Sequence, residues 1–145
     1  MGIEGLRLEQ INSKVAQYWS VSVTEETAST QFDLANNFKV GNVLVAEYQS
    51  AGRGRLDRKF EVPPRKGLTF SLCINPNSDL GWIPLITGLA VSRAINNYIG
   101  KDLVNVKWPN DLLIDGKKLA GILSEKNENG VVVGVGINIF QTQQE

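Results

Sequence analysis

Apolar positions recur at two different periods along this chain, and the change from one to the other sets the expected order of elements. Leu8, Ile11, Val15, Tyr18 and Trp19 recur at helical spacing, which predicts an amphipathic helix over residues 7–19. Val21 and Val23 alternate with polar neighbours and predict a short strand. Phe32, Leu34, Ala35 and Phe38 restore the helical period, with Ser29 or Thr30 as the expected N-cap. An apolar strand over 42–48 follows. Beyond Pro63-Pro64 a strand resumes with Leu68, Phe70, Leu72 and Ile74 on one face, ending at an Asn75-Pro76-Asn77-Ser78 turn. Leu80 to Ile99 predicts the longest helix, with Ile83, Ile86, Leu89, Ala90, Ala94, Ile95 and Tyr98 facing a core and Gly100 as its stop. The remainder reads as strands: Leu103–Trp108, Leu112–Ile114, Leu119–Glu125 and Val131–Phe140, with turn signals at Asp115-Gly116 and Asn129-Gly130. Helices and strands alternate first and strands then run together. That order predicts an α+β domain, a mixed or antiparallel sheet packed with helices, rather than a doubly wound fold.

Composition narrows the class. The 145 residues suit one domain over positions 1–145, and 42% hydrophobic with 21% charged residues is the balance of a soluble globular protein. A formal net charge of zero argues against DNA or membrane binding driven by overall charge. No apolar run approaches the ~18 residues of a membrane span, and no signal-peptide pattern is present, so a cytoplasmic location is expected. The lone cysteine, Cys73, excludes an intrachain disulfide framework, and the absence of histidine removes imidazole as base or metal ligand.

Charge is uneven within that neutral total. Six cations (Arg53, Arg55, Arg58, Lys59, Arg65 and Lys66) face two acids, Asp57 and Glu61, between positions 53 and 66. Within this stretch Gly52-Arg53-Gly54-Arg55 combines backbone freedom with fixed positive charge, a combination suited to gripping an anion. Lys107-Trp108-Pro109-Asn110-Asp111 reads as a tight turn, or as a strand end carrying a cation, an aromatic face, an amide and a carboxylate. In Gly116-Lys117-Lys118-Leu119-Ala120-Gly121 the lysines are either solvated at a hairpin or one projects onto a phosphate. Gly134-Val135-Gly136-Ile137-Asn138 leaves one strand face bare, which suits a flat ligand, close strand packing or a dimer contact. No dinucleotide fingerprint or P-loop is present.

Residues 46–58, 107–125 and 134–138, taken in this order, resemble the biotin protein ligases, also called biotin–[acetyl-CoA-carboxylase] ligases, over about residues 20–140. The Ser29-Thr30 pair looks like the start of that family's Ser-Thr-Asn motif. The resemblance implies a biotin/lipoate ligase fold. It also implies a reaction that joins biotin to ATP with magnesium, giving biotinyl-5′-adenylate and pyrophosphate. Biotin then passes to a lysine of a biotin carboxyl carrier domain. By motif, Ser29, Thr30, Gln31 and Gln49 are expected at the biotin head group, with Gly52, Arg53 and Gly54 on its carboxylate side. Arg55 and Arg58 are expected at the phosphates, and Lys118, or failing it Lys107, between carboxylate and α-phosphate. Gly121, Leu123, Gly134 and Gly136 would shape the biotin slot; Phe60, Lys107, Asn110, Asp111 and Asn138 would serve the nucleotide side. No metal ligand is assigned.

Two positions depart from that pattern. Gln31 stands where the family usually has Asn, and Asp57 replaces a glycine, adding a carboxylate among phosphate-binding arginines. The family's catalytic domains also continue beyond the Gly-x-Gly-Ile-Asn strand, whereas this sequence ends with a polar Gln141-Thr142-Gln143-Gln144 tail. Neither an N-terminal winged helix nor a C-terminal SH3-like barrel is expected. The alternatives are a lipoate or other acyl ligase of the same fold, a non-catalytic biotin-binding or dimerisation module, and an RNA-binding module using the Arg-Gly loop. For a homodimer, Leu119–Glu125 and Val131–Phe140 are the expected sheet edge.

Overall fold

The computed structural model describes residues 5–15, 17–77 and 79–140. Seven strands form one mixed sheet, in the order β1-β2-β3-β7-β6-β5-β4. These are β1 Ser20–Thr27, β2 Asn42–Gln49, β3 Gly67–Ile74, β4 Val104–Lys107, β5 Asp111–Ile114, β6 Lys117–Asn127 and β7 Gly130–Asn138. The helices are α1 Leu8–Val15, α2 Thr30–Asn36 and α3 Ile83–Ile99, the last preceded by a 3₁₀ turn over Leu80–Trp82. β1 and β2 run parallel because α2 carries the chain back between them; every other strand pair is antiparallel.

Strand alternation divides the side chains between two faces. On one face Val131, Val133, Val135 and Ile137 of β7 pack with Ala120 and Ile122 of β6, Leu112 of β5, and Ile83, Val91 and Ile95 of α3. Leu68, Phe70, Leu72 and Ile74 join that face as expected. On the other face α2 covers a smaller cluster of Leu34, Cys73 and Val132, edged by Phe38 and Leu44. Burial pushes the Cys73 thiol up from its ordinary pKa.

Three sequence expectations change here. α1 ends at Val15, where Tyr18 and Trp19 both donate backbone N–H to the Val15 carbonyl in a turn; Ala16, inside the expected helix, lies outside the described residues. Ser78 of the expected turn and the tail Gln141–Gln144 also lie outside them. α3 stops at Gly100, whose φ of 69° is the left-handed cap glycine favours, but of the stripe expected to face the core it buries only Ile83 and part of Ile95. Ile86 and Tyr98 are 60% and 92% exposed, and Leu89, Ala90 and Ala94 are exposed too. Alongside the expected Ile83 and Ile95, the helix presses Gly88, Val91 and Ser92 to the sheet. Small residues win because they let the helix come close: a Cβ on Gly88 would lie 3.2 Å from Ile122 Cδ1.

The third change concerns the sheet edges. β6 and β7 are interior strands paired on both sides, so the exposed edges belong to β1 and β4. The β6–β7 hairpin forms where expected, but its turn is Glu128-Asn129, held by Asn127 Oδ1, which accepts from the N–H groups of Asn129 (2.9 Å) and Gly130 (3.0 Å).

Candidate functional site

The face of the sheet opposite α3 carries a cleft of about 270 Å³. Its closed end is built from the N-terminus of α2 and the C-terminal end of β2. Backbone bonds from Ser50 N to Thr27 O and from Ala51 N to Ala28 O continue the β1–β2 pairing to that end. They set Ser29, Thr30 and Gln31 beside Gln49. Ser29 is the N-cap: its Oγ accepts from Phe32 N at 3.3 Å. Thr30 and Gln31 are buried, as is Ser71 from β3.

These groups form one chain of hydrogen bonds. Gln49 Oε1 accepts from Thr30 N (2.8 Å) and faces Thr30 Oγ1 (3.0 Å); Thr30 Oγ1 lies 2.8 Å from Ser71 Oγ; Ser71 Oγ donates to Gln31 Oε1 (3.0 Å). Gln31 Nε2 donates to the Val132 carbonyl at 2.9 Å. The three contacts involving hydroxyls have two hydroxyl protons to share, so the closed end holds more acceptors than protons. It suits a neutral ligand that brings N–H donors.

The open end is cationic. The loop over 52–60 folds as a small ear: Gly54 N donates to Arg58 O (2.7 Å), Phe60 N to Gly52 O (2.9 Å), and Arg53 bridges Lys59. Arg53, Arg55, Arg58 and Lys59 all line the cleft from this ear. Leu56 and Asp57 at its tip have φ of 55° and 58°, so Asp57 does occupy a left-handed conformation. Arg53 Nη2 pairs with Glu125 Oε1 at 2.8 Å, and Arg55 Nη1 donates to Asn110 Oδ1 at 3.3 Å. Asn110 is itself fixed to β6, since its Nδ2 donates to Ile122 O (3.0 Å) and its carbonyl accepts from Ile122 N (2.9 Å).

Lys118 reaches the cleft through an irregularity in β6. Leu112 pairs with Ala120 but Leu113 pairs with Lys118, so Leu119 is an extra residue, a β-bulge. Strict alternation would put Lys118 on the α3 side with Ala120 and Ile122. The bulge leaves Leu119 packed on that side and turns Lys118 to the other, where Nζ lies 3.3 Å from Asp111 Oδ1. Asp111 is the one acid lining the cleft among the described residues.

Of the residues expected at the site, the cleft gathers Ser29, Thr30, Gln31, Gln49, Arg53, Gly54, Arg55, Arg58, Phe60, Asn110, Asp111, Lys118, Gly121, Leu123, Gly134 and Gly136. Three expected residues do not line it. Gly52 is buried behind the ear, where a Cβ would meet Phe60 O at 2.3 Å. Lys107 is exposed on the β4 edge. Asn138 ends β7, with Nδ2 donating to Lys118 O at 3.4 Å. Ser71 and Thr69 are lining residues that sequence reasoning missed. Their signal was alternation: both are polar on a strand whose other face is Leu68, Phe70 and Leu72. The bare glycine face is also not empty. Gln31 Oε1 lies 2.7 Å from a Cβ position on Gly134, and the Phe60 ring 2.3 Å from one on Gly136.

The chain that builds this cleft is similar to known proteins in sequence and in fold. The model of the Biotin/lipoate A/B protein ligase family matches residues 20–140. The biotin–[acetyl-CoA-carboxylase] ligase of Mycobacterium tuberculosis is 38% identical, over 86% of this chain and 51% of its own length. The bifunctional ligase/repressor BirA of Bacillus subtilis is 36% identical, over 94% of this chain and 44% of its own. The chain thus spans about half the length of the curated relatives it matches. Among solved structures, the biotin protein ligase from Aquifex aeolicus in complex with biotin and ATP superposes with a TM-score of 0.78 at 38% identity, covering 85% of this chain and 53% of that one. The match over residues 20–140, together with this geometry, places the chain in the biotin/lipoate A/B protein ligase family.

Proposed function

We propose that this chain supplies the biotin-activating site of a biotin protein ligase. Biotin and ATP react there to give biotinyl-5′-adenylate, and biotin is then transferred to a lysine of a carrier domain. The observation that carries the reading is the polarity of the cleft, neutral amides and hydroxyls at one end and cations at the other. Biotin has the matching shape: a neutral ureido head with N–H donors and a carboxylate at the end of its tail. The relatives' names and the ligands of the Aquifex structure support the same choice.

In the first step a biotin carboxylate oxygen attacks the α-phosphorus, the bond to the bridging oxygen breaks, and pyrophosphate leaves with that electron pair. The carboxylate is already a nucleophile, so a chain without histidine suffices. Thr30, Gln31, Gln49 and Ser71 would hold the head group. Gly121, Leu123 and Gly134 would wall the slot, with Gly136 beneath the Phe60 ring at its margin. Arg53 and the Gly54 backbone would meet the carboxylate. Arg55 and Arg58 would meet the phosphates, and Lys118, released from Asp111, would sit between carboxylate and α-phosphate. Each charge-assisted hydrogen bond in a closed site contributes about 1.5–3 kcal/mol. Phe60 would border the nucleotide. In the second step the acceptor lysine amine attacks the acyl carbon, AMP leaves, and the amine loses its proton.

Asp111 and the Asn110 amide oxygen are hard oxygen donors on the phosphate side, a set that fits magnesium shared with a triphosphate. Such an ion supplies screening of charge between the two anions. A reaction that consumes ATP suits a cytoplasmic location; among the described residues no helix is long and apolar enough to cross a membrane.

Purified protein incubated with biotin, ATP and magnesium should release pyrophosphate and form biotinyl-adenylate, seen by mass spectrometry, and should label a carrier domain. Preferential labelling with lipoate would overturn the substrate. Biotin binding without adenylate would reduce the chain to a binding module.

A further inference from the structure

We infer that Gly136 acts through Phe60: the glycine is the seat on which the cationic ear is anchored to the sheet. A Cβ built on Gly136 would lie 2.3 Å from both Cε1 and Cζ of Phe60 and 3.1 Å from Cε2, so its three nearest neighbours are all atoms of one ring. No side chain larger than hydrogen leaves that ring in place. The same residue closes the stem of the ear, since Phe60 N donates to Gly52 O and Phe60 O lies 2.3 Å from where a Gly52 Cβ would be. The ring therefore joins the two strands of the stem to β7. Two further side-chain ties among the described residues hold little on their own: Arg53 to Glu125 is half-exposed at both partners, and Arg55 to Asn110 is long, at 3.3 Å, and exposed.

The seat matters because the cations ride on the ear. Arg55 and Arg58 lie between Gly54 and Phe60, and Gly136 is paired directly opposite Gly121, over which the Lys118 side chain is folded. Docking the ring on Gly136 thus sets the distance between the ear's arginines and the lysine of β6. A shift of about 1 Å in such a constellation is enough to cost ~10²-fold in rate. On this account Gly136 is a positioning residue, and its substitution is felt through the aromatic ring and not by direct contact with ligand. The consequence for activity rests on the function proposed above; the anchoring itself does not.

The test compares Gly136→Ala, Phe60→Ala and the double variant with the unaltered chain. Trypsin cleavage after Arg53, Arg55, Arg58 and Lys59, without ligand, reads the anchoring. Each single substitution should speed cleavage at least about tenfold, and the double should be no faster than Phe60→Ala. Calorimetry with biotin and a non-hydrolysable ATP analogue should show the same non-additivity, the double matching Phe60→Ala within about twofold in Kd. If Gly136→Ala fails to fold, the double variant should fold and behave as Phe60→Ala. Additive losses, or a Gly136→Ala chain indistinguishable from the parent, overturn the inference. A parent chain that binds neither ligand overturns the proposed function and leaves the proteolysis result to decide the anchor.

Discussion

Removing one hydroxyl at a time from the closed end of the cleft should reveal how its two protons are shared. Thr30→Val keeps the side-chain shape and deletes a donor. Afterwards Gln49 Oε1 still accepts from Thr30 N (2.8 Å) and Gln31 Oε1 still accepts from Ser71 (3.0 Å), so no amide oxygen loses its last partner. The cost should be that of one ordinary buried hydrogen bond, about 0.5–1.5 kcal/mol. In Ser71→Ala the Thr30 hydroxyl can turn to Gln49 Oε1 at 3.0 Å, but Gln31 Oε1 loses its donor in a residue only 4% exposed. An orphaned buried acceptor costs about 1–3 kcal/mol. Ser71→Ala should therefore be the more destabilising change, by roughly 1 kcal/mol. In urea unfolding this is a midpoint lower by ~0.5 M than that of Thr30→Val at unchanged slope. If Thr30→Val proves equal or worse, the assignment of protons along this chain is wrong.

Other predictions concern charge, strain and the helix face. Asp57→Gly removes a carboxylate from among the arginines and relieves a φ of 58°; it should tighten ATP binding in calorimetry, and unchanged or weaker binding would count against it. Lys118→Ala should slow adenylate formation by about 10²–10³-fold, whereas Lys107→Ala, on the β4 edge away from the cleft, should stay within about twofold in single-turnover assays. Ile95→Ala, which empties part of the core beneath α3, should cost about 2 kcal/mol or more in chemical unfolding, and Ile86→Ala, 60% exposed, less than about 0.5 kcal/mol.

The strands and their order of appearance were legible because period-two alternation is local, and the cleft residues because their motifs are contiguous. What remained hidden depends on neighbours distant in sequence. α3 offers two apolar stripes a residue or so apart. The larger side chains of Ile86 and Leu89 make the more hydrophobic stripe, but Gly88 is what fits against Ile122 and Leu112, with Ser92 buried one turn further on. Ser71 carries no motif. Its role follows only from standing across β3 from Gly134 of β7 and beneath Thr30 of α2. The bare strand of Gly134 and Gly136 was readable as a place something lies flat; that Gln31 and Phe60 lie there requires three-dimensional contact. The resemblance already ranked Lys118 ahead of Lys107; the fold adds that the first lines the cleft and the second stands on an edge strand.

The extra residue at Leu119 has a consequence for how this hairpin tolerates changes in length. Strand faces repeat every two positions, so deleting one residue between Lys117 and Ala120 would abolish the bulge and restore strict alternation. Loss of Leu119 would leave Lys118 directly before Ala120, still paired with Leu113 and still on the cleft side; loss of Lys118 would put Leu119 there instead, with Lys117 on the α3 side. The two deletions shorten the strand equally, yet only the first keeps an ammonium group on the cleft side. What this hairpin tolerates in length is therefore set by which residue is lost and not by how many, and the neighbouring lysine offers no substitute.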